Sequence, residues 1–272
     1  MVVPDESKER ASGDAKRKLH GLSPLLWINL DSSVERRARM ESELVAWGIE
    51  GRRIAAVDGR QGDAVSKFLH GEKPARKHNP AELGCTLSHL RAIDTFLRDD
   101  RREFAVICED DIDFGLANYW PFRFEDVIRA LPSDWECLQL AISTAAEHVT
   151  SWLHPRESSE YCACAYAIRR PYAERLMQLA GHGGKYDLSK LALDHHYGHC
   201  IDHFLYERGV TYSIPLLTYH HALPSTIQVE TVMAYVAIRS SNAICAWWKT
   251  EGMHMDATEL LTLEGAAEDG RT

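Results

Sequence analysis

The sequence has no apolar run long enough to span a bilayer, and its opening segment MVVPDESKERASGDAKRKLHG carries charges where a secretory leader needs an apolar stretch. A soluble, cytoplasmic protein without a transmembrane segment is the expectation, with peripheral membrane association left open. Basic residues are in deficit, 31 Lys and Arg against 40 Asp and Glu, for a formal charge of -9. Counterion release on a polyanion needs many accessible cations on one face, so no nucleic-acid partner is expected. No CxxC pair occurs among the seven cysteines Cys85, Cys108, Cys137, Cys162, Cys164, Cys200 and Cys245. Odd in number and mostly set among apolar residues, they read as buried free thiols in a reducing compartment. Internal repeats and low-complexity linkers are also missing, which favours one continuous fold.

What is present suffices for a substantial core: 272 residues at 45% hydrophobic. Residues 1–21 and 256–272 are polar, charged and aperiodic and are expected as flexible tails around a single domain over 22–255. Pro24 to Leu30 is a short apolar run stopped by Asp31-Ser32-Ser33, and a helical pattern from Val34 to Trp47 follows before Gly48. With a second strand around Arg53 to Val57 ending at Asp58-Gly59, this is a βαβ unit. Asn79-Pro80-Ala81-Glu82 combines an N-cap, a first-turn proline and a capping-box glutamate ahead of Leu83, Leu87, Leu90 and Leu97. A buried amphipathic helix starts there. Phe104 to Cys108 is a continuous apolar strand, covered on both faces, that runs into Glu109-Asp110-Asp111. Further strands are expected at Cys137 to Ile142, Tyr161 to Ile168 and Tyr212 to Leu217, and helices at Pro171 to Ala180 and Leu191 to Glu207. The alternation predicts an α/β fold with a mainly parallel central sheet flanked by helices. Ligands collect at the carboxyl ends of such strands, where Asp31, Asp58 and Glu109 to Asp113 fall.

Three adjacent carboxylates at a strand exit repel one another and stay ionised only if solvent or a cation compensates them. A solvated acidic turn and a divalent-cation site both fit that pattern. Hard oxygen ligands would favour Mg2+ or Mn2+ with positions left open for phosphate oxygens.

Several motifs, taken in order, extend this. Trp27-Ile28-Asn29-Leu30-Asp31 with Arg36-Arg37 and Met40, then Ala56-Val57-Asp58-Gly59, then Glu82 to His89, then Val106 to Asp111 resemble glycosyltransferase family 25. That is the lipopolysaccharide-biosynthesis family, which also contains procollagen galactosyltransferases. Ala165 to Arg169, Ile201-Asp202 and Pro224 to Ile227 are similar to its second half, so the resemblance covers about Leu25 to Gln228. It implies a GT-A-type fold and inverting transfer of a hexose, typically galactose from a UDP-linked donor, to a glycan, lipid-linked or protein acceptor.

On that resemblance Glu109-Asp110-Asp111 plays the part of the DxD motif, with Glu109 and Asp111 as metal ligands and Asp110 toward the donor. Asp113 is an extra acid without an assigned role. Asn29, Asp31 and Arg36 would lie near the base or phosphates, although an arginine pair is also an ordinary exposed helical turn. Asp58 would accept a ribose hydroxyl or simply make an Asp-Gly turn. Ser88 and His89 would face the nucleotide, the alternative for His89 being a satisfied core histidine. Asp202 is the first choice of base for the acceptor hydroxyl, against a helix-surface or metal-shell aspartate, with Glu147 behind it. His220 would be a further metal ligand or part of a polar loop.

Two rival functions remain at this stage. One is a non-catalytic nucleotide-sugar-binding homologue. The other is a zinc-dependent hydrolase built on His195, His199 and His203, which share one helical face but lack a supporting HExxH glutamate.

Overall fold

A computed structural model describes residues 12–70, 79–99, 101–181, 183–190, 201–220 and 232–263. The first described helix, α1 (Gly13–Lys18), is capped by the Ser12 hydroxyl, which accepts from the Ala15 N–H at 3.0 Å. Strand β1 (Leu25–Asn29), helix α2 (Val34–Trp47) and strand β2 (Gly51–Ala55) make the expected βαβ unit. Gly48 ends α2 in the left-handed region, at φ 70°, which glycine adopts without a Cβ clash. Helices α3 (Gly62–Phe68) and α4 (Pro80–Asp99) follow, and the Asn79 side chain accepts from the Ala81 N–H at 3.0 Å to open α4.

Beyond them come β3 (Phe104–Glu109), β4 (Ile112–Asp113), α5 (Phe124–Ala130), β5 (Cys137–Gln139), β6 (His154–Pro155), β7 (Ala165–Arg169), α6 (Arg170–Ala180) and α7 (Ile201–Tyr206). The last elements are β8 (Thr211–Ser213), β9 (Thr218–Tyr219), α8 (Val232–Thr250) and α9 (Ala257–Leu261).

The central sheet has the order β2-β1-β3-β7-β5-β8-β6, and β4 pairs with β9 as a separate ribbon. β2, β1, β3, β5 and β8 run in one direction, and β7 and β6 run against it. Successive side chains of a strand point to opposite faces. Leu25, Trp27, Val106 and Cys108 therefore meet α2 and α8 through Met40, Leu44, Trp47, Ile244 and Trp248. Leu26, Ile28, Ala105 and Ile107 meet α4, α6 and α7 through Leu87, Ile93, Phe96, Leu176 and Phe204. Coverage of both faces is why β1 and β3 read as unbroken apolar runs.

Parts of both segments expected as flexible tails are built into the fold. Ala15 and Leu19 are buried, and α9 buries Leu260, whose carbonyl accepts from the Leu153 N–H at 2.9 Å. Each segment contributes too few apolar residues to show periodicity. α8 was not anticipated either; it buries Trp248, whose indole N–H donates to the Pro215 carbonyl at 2.8 Å. The strand expected over Tyr212 to Leu217 is shorter, ending as β8 at Ser213 ahead of Pro215, and β9 begins only at Thr218. No helix among the described residues is long and apolar enough to cross a membrane.

One contact fixes the site's outer wall. A Cβ on Gly84 would stand 2.5 Å from the Val57 carbonyl oxygen and 2.6 Å from Gly59 N, and one on Gly59 would stand 1.5 Å from the Pro80 oxygen. The loop after β2 thus lies backbone-to-backbone on α4. Ser88 fastens it, accepting from the Val57 N–H at 2.8 Å while donating to the Gly84 carbonyl at 2.6 Å. Gly84→Ala is expected to cost about 1–3 kcal/mol of stability, because backbone has to move. An unchanged denaturation midpoint in urea would show that the two segments are not in close contact.

Candidate functional site

β1 and β3 are parallel neighbours with Ile28 opposite Glu109, so Asn29 and the acidic triplet emerge side by side at the carboxyl edge of the sheet. An open cleft lies there. Asn29, Arg36 and Asp110 line it from the α2 side, and Asp58, Ser88, His89 and Glu109 from the α4 side.

Most of these polar groups are already engaged. Asp110 accepts from Asn29 Nδ2 at 2.6 Å and from Arg36 Nε at 2.7 Å, while Arg39 Nη2 donates to its backbone carbonyl at 2.7 Å. Asn29 Oδ1 in turn accepts from Arg53 Nε at 2.9 Å and Arg37 Nε at 3.2 Å. Asn29 and Asp110 are therefore the struts of the site, and Ser88 has spent its hydroxyl on the fold. Asp58 makes the plain turn, accepting from the Arg60 N–H at 3.1 Å and Gln61 Nε2 at 2.9 Å. Asp31 does not line the cleft; its side chain is 77% exposed and paired with Arg53 at 2.5 Å. Asp113 is explained locally, since its Oδ1 accepts from the Gly115 N–H at 2.6 Å.

Asp111 differs from its neighbours. Its Oδ2 accepts from Arg36 Nη2 at 2.9 Å, but Oδ1 is buried with no hydrogen-bond partner. Burial first, then the charges of Glu109 and Asp110, push its carboxyl up to about 6 against the pull of Arg36. Burial also works to raise Glu109, but the hydrogen bond and charge of His89, with Arg36 and Cys85, outweigh it and leave that carboxyl below its ordinary value.

An orphaned buried carboxylate oxygen beside a second ionised acid fits a hard divalent cation, and Glu109 and Asp111 are the residues that would hold it. Ligand atoms of Glu109, Asp111 and Cys164 lie within 4.8 Å of one another. The hydrogen bond that it donates to Cys162, with burial, drives the Cys164 thiol well above its usual range, so it stays protonated there.

Asp202, at the start of α7, enters the same region from the second core face. Its Oδ2 accepts from the Cys162 N–H at 2.7 Å. Burial raises its carboxyl above the ordinary aspartate value, against that hydrogen bond and the charge of His89, and with a further push from Glu109. Cys162 is held in a left-handed conformation, φ 97°, with its carbonyl accepting from Tyr206 and from Gln139 Nε2. His220 meets Asp111 through its backbone N–H, 2.8 Å from the Asp111 carbonyl, and belongs to neither ligand cluster found among the described residues. Glu147 is exposed.

His195 and His199 lie outside the described residues, while His203 pairs with Glu207 and stands edge-on to Tyr161. Sequence reasoning missed Arg39, Tyr166 and the thiols around the acids. Of these only Cys85, four residues before His89 on α4, leaves a readable spacing.

Residues 23–131, which hold β1 to β4 and the whole acidic triplet, match the model described as glycosyltransferase family 25 (LPS biosynthesis protein). A "Glycosyltransferase 25 family member" of Anopheles gambiae is 32% identical over 114 residues, covering 39% of this chain and 19% of the relative. Proteins of the same description from Drosophila pseudoobscura pseudoobscura and Aedes aegypti are 26% and 27% identical, covering 53% and 58% of this chain. The chain spans 19% to 28% of the length of these relatives. The family 25 match ends at residue 131, before Cys162 and Asp202, so the half of the site built on β7 and α7 rests on the fold rather than on the family signature.

Proposed function

We propose that the chain is a metal-dependent inverting glycosyltransferase, moving a hexose, first of all galactose, from a UDP-linked donor to a glycan, lipid-linked or protein acceptor. The unpartnered Asp111 Oδ1, set beside ionised Glu109 at the strand exit of a family 25 segment, carries this reading. Mn2+ or Mg2+ held there would neutralise the diphosphate charge that grows as the donor bond breaks. Arg36, already on Asp110 and Asp111, adds a fixed positive charge on the same side. Asp58 and the turn it closes form the wall for the nucleoside. Asp202 takes the acceptor's hydroxyl proton; the freed oxygen bonds to the anomeric carbon from the face opposite the departing diphosphate, which keeps the electron pair.

A donor screen tests this: sugar nucleotides are incubated with the protein and Mn2+, and release of the nucleoside diphosphate is followed. UDP-galactose is expected to turn over fastest, with release abolished by a chelator. Binding without release from any donor would favour a non-catalytic nucleotide-sugar-binding homologue and sink the enzymatic reading.

A further inference from the structure

A second cluster beside the carboxylates has a softer donor set. Cys85 and His89 stand one turn apart on α4, and Glu109 ends β3 in front of them. Glu109 Oε1 lies 3.3 Å from His89 Nε2 and 3.8 Å from Cys85 Sγ, and one ligand atom from each residue falls within 4.8 Å of the others. Tetrahedral zinc, with bonds of about 2.3 Å to sulfur and about 2.0–2.2 Å to nitrogen and oxygen, would set the N–O edge at roughly 3.4 Å and the S–O edge at roughly 3.6 Å. Two of the three edges of a tetrahedral face therefore already stand near their bound lengths, and the sulfur–nitrogen edge is within 4.8 Å.

The imidazole is also aimed. His89 Nδ1 is 3.2 Å from the Tyr166 hydroxyl, which leaves Nε2 toward Glu109. An outer hydrogen bond of this kind orients metal-ligating histidines. Cys85, His89 and Glu109 all line the open cleft, so an ion can enter from solvent and keep its fourth position on the cleft side.

We propose that Cys85, His89 and Glu109 form a binding site for a thiophilic divalent ion of the zinc class. On binding, the Cys85 proton and the His89 Nε2 proton that faces Glu109 both go to solvent, and the two hydrogen bonds to the carboxylate are replaced by thiolate–metal and imidazole–metal bonds. His89 is then neutral, supplying the Nε2 lone pair while Nδ1–H donates to Tyr166. Loss of these protons makes the affinity rise with pH. Sulfur and imidazole ligands discriminate against Mg2+ and Mn2+. Glu109 is shared with Asp111, so an ion seated here would withdraw one ligand from the hard-cation site; that consequence rests on the transferase reading, but the binding does not.

Chelator-treated protein is titrated with Co2+, and the sulfur-to-cobalt charge-transfer absorption is followed. One equivalent is expected to bind, to be displaced by Zn2+ and to survive excess Mg2+. Cys85→Ser should abolish the band and Cys164→Ser should keep it. Tyr166→Phe should weaken Zn2+ by about 10- to 100-fold with the band retained. Because misfolding of a variant would also remove the band, alkylation of the unaltered protein is mapped as well, and one equivalent of Zn2+ should protect Cys85. No band in the unaltered protein, a band that survives Cys85→Ser, or Cys85 alkylated equally with and without Zn2+ overturns the site. UDP release is measured separately and can fail while this site stands.

Discussion

Asp111→Asn is expected to lower metal-dependent sugar-nucleotide cleavage at least about a hundredfold, while the metal-free protein becomes more stable at neutral pH. Asparagine keeps an acceptor oxygen for Arg36 Nη2, which is 2.9 Å from Asp111 Oδ2, but removes the charge that a cation would meet. The stability gain follows from the direction of the shift. Asp111 titrates at 3.8 when unperturbed and at about 6 in the fold. Between those values the folded chain holds a proton that the unfolded chain has released. Stability of the metal-free protein therefore falls as pH rises from 3.8 toward about 6 and stays reduced above it. The substitution removes this loss. A bound divalent ion should offset it in the unaltered protein, raising the midpoint by mass action, and that gain should be missing in the variant. Thermal midpoints across pH with a chelator and with Mn2+, beside UDP release, check all of this. Near-normal turnover would remove Asp111 from the metal site.

Asp111 also shows how far the residue order alone can reach. The exit of an apolar strand into Glu109-Asp110-Asp111 was legible, because a strand covered on both faces must be apolar along its whole length and can turn polar only where it leaves the sheet. What the order could not show was the division of labour within the triplet. Asp110 differs from Asp111 only because Asn29, Arg36 and Arg39 converge on it from β1 and α2, more than 70 residues away in the chain. The N-cap of α4 and the glycine stop of α2 were readable for a related reason: caps are local, and their residues sit beside the helix they serve.

Docked segments were hidden for the opposite reason. α9 is held largely by Leu260 and its carbonyl, and a single buried leucine leaves no period to detect. Ser88 shows what a motif leaves unsaid: it lines the cleft, and its hydroxyl also joins Gly84 to Val57, a contact across 31 residues that the residue order does not announce.

Asp202→Asn is expected to reduce transfer to an acceptor by about 10²–10⁴-fold while nucleotide binding persists. Asparagine can still accept the Cys162 N–H, 2.7 Å from Oδ2, so the strained turn at Cys162 keeps its partner and the fold should survive. Only the proton acceptor is lost. Burial places the folded pKa of Asp202 above the usual aspartate value, with Glu109 adding to the effect. The protonated, inactive form therefore persists to higher pH than for an exposed aspartate, and the acid limb of kcat/KM should lie above 3.8. That limb should disappear in the variant, leaving a low and pH-insensitive rate. Glu147 is the control, because it is exposed whereas the Asp202 carboxyl is buried. Glu147→Gln should leave both the rate and the limb in place. Were the limb to follow Glu147 instead, or were Asp202→Asn to keep transfer within about threefold, below the least a general base contributes, Asp202 would revert to holding the Cys162 turn. Donor hydrolysis in the absence of acceptor separates the two roles further, since a positioning residue would depress it in step with transfer and a base for the acceptor hydroxyl would not.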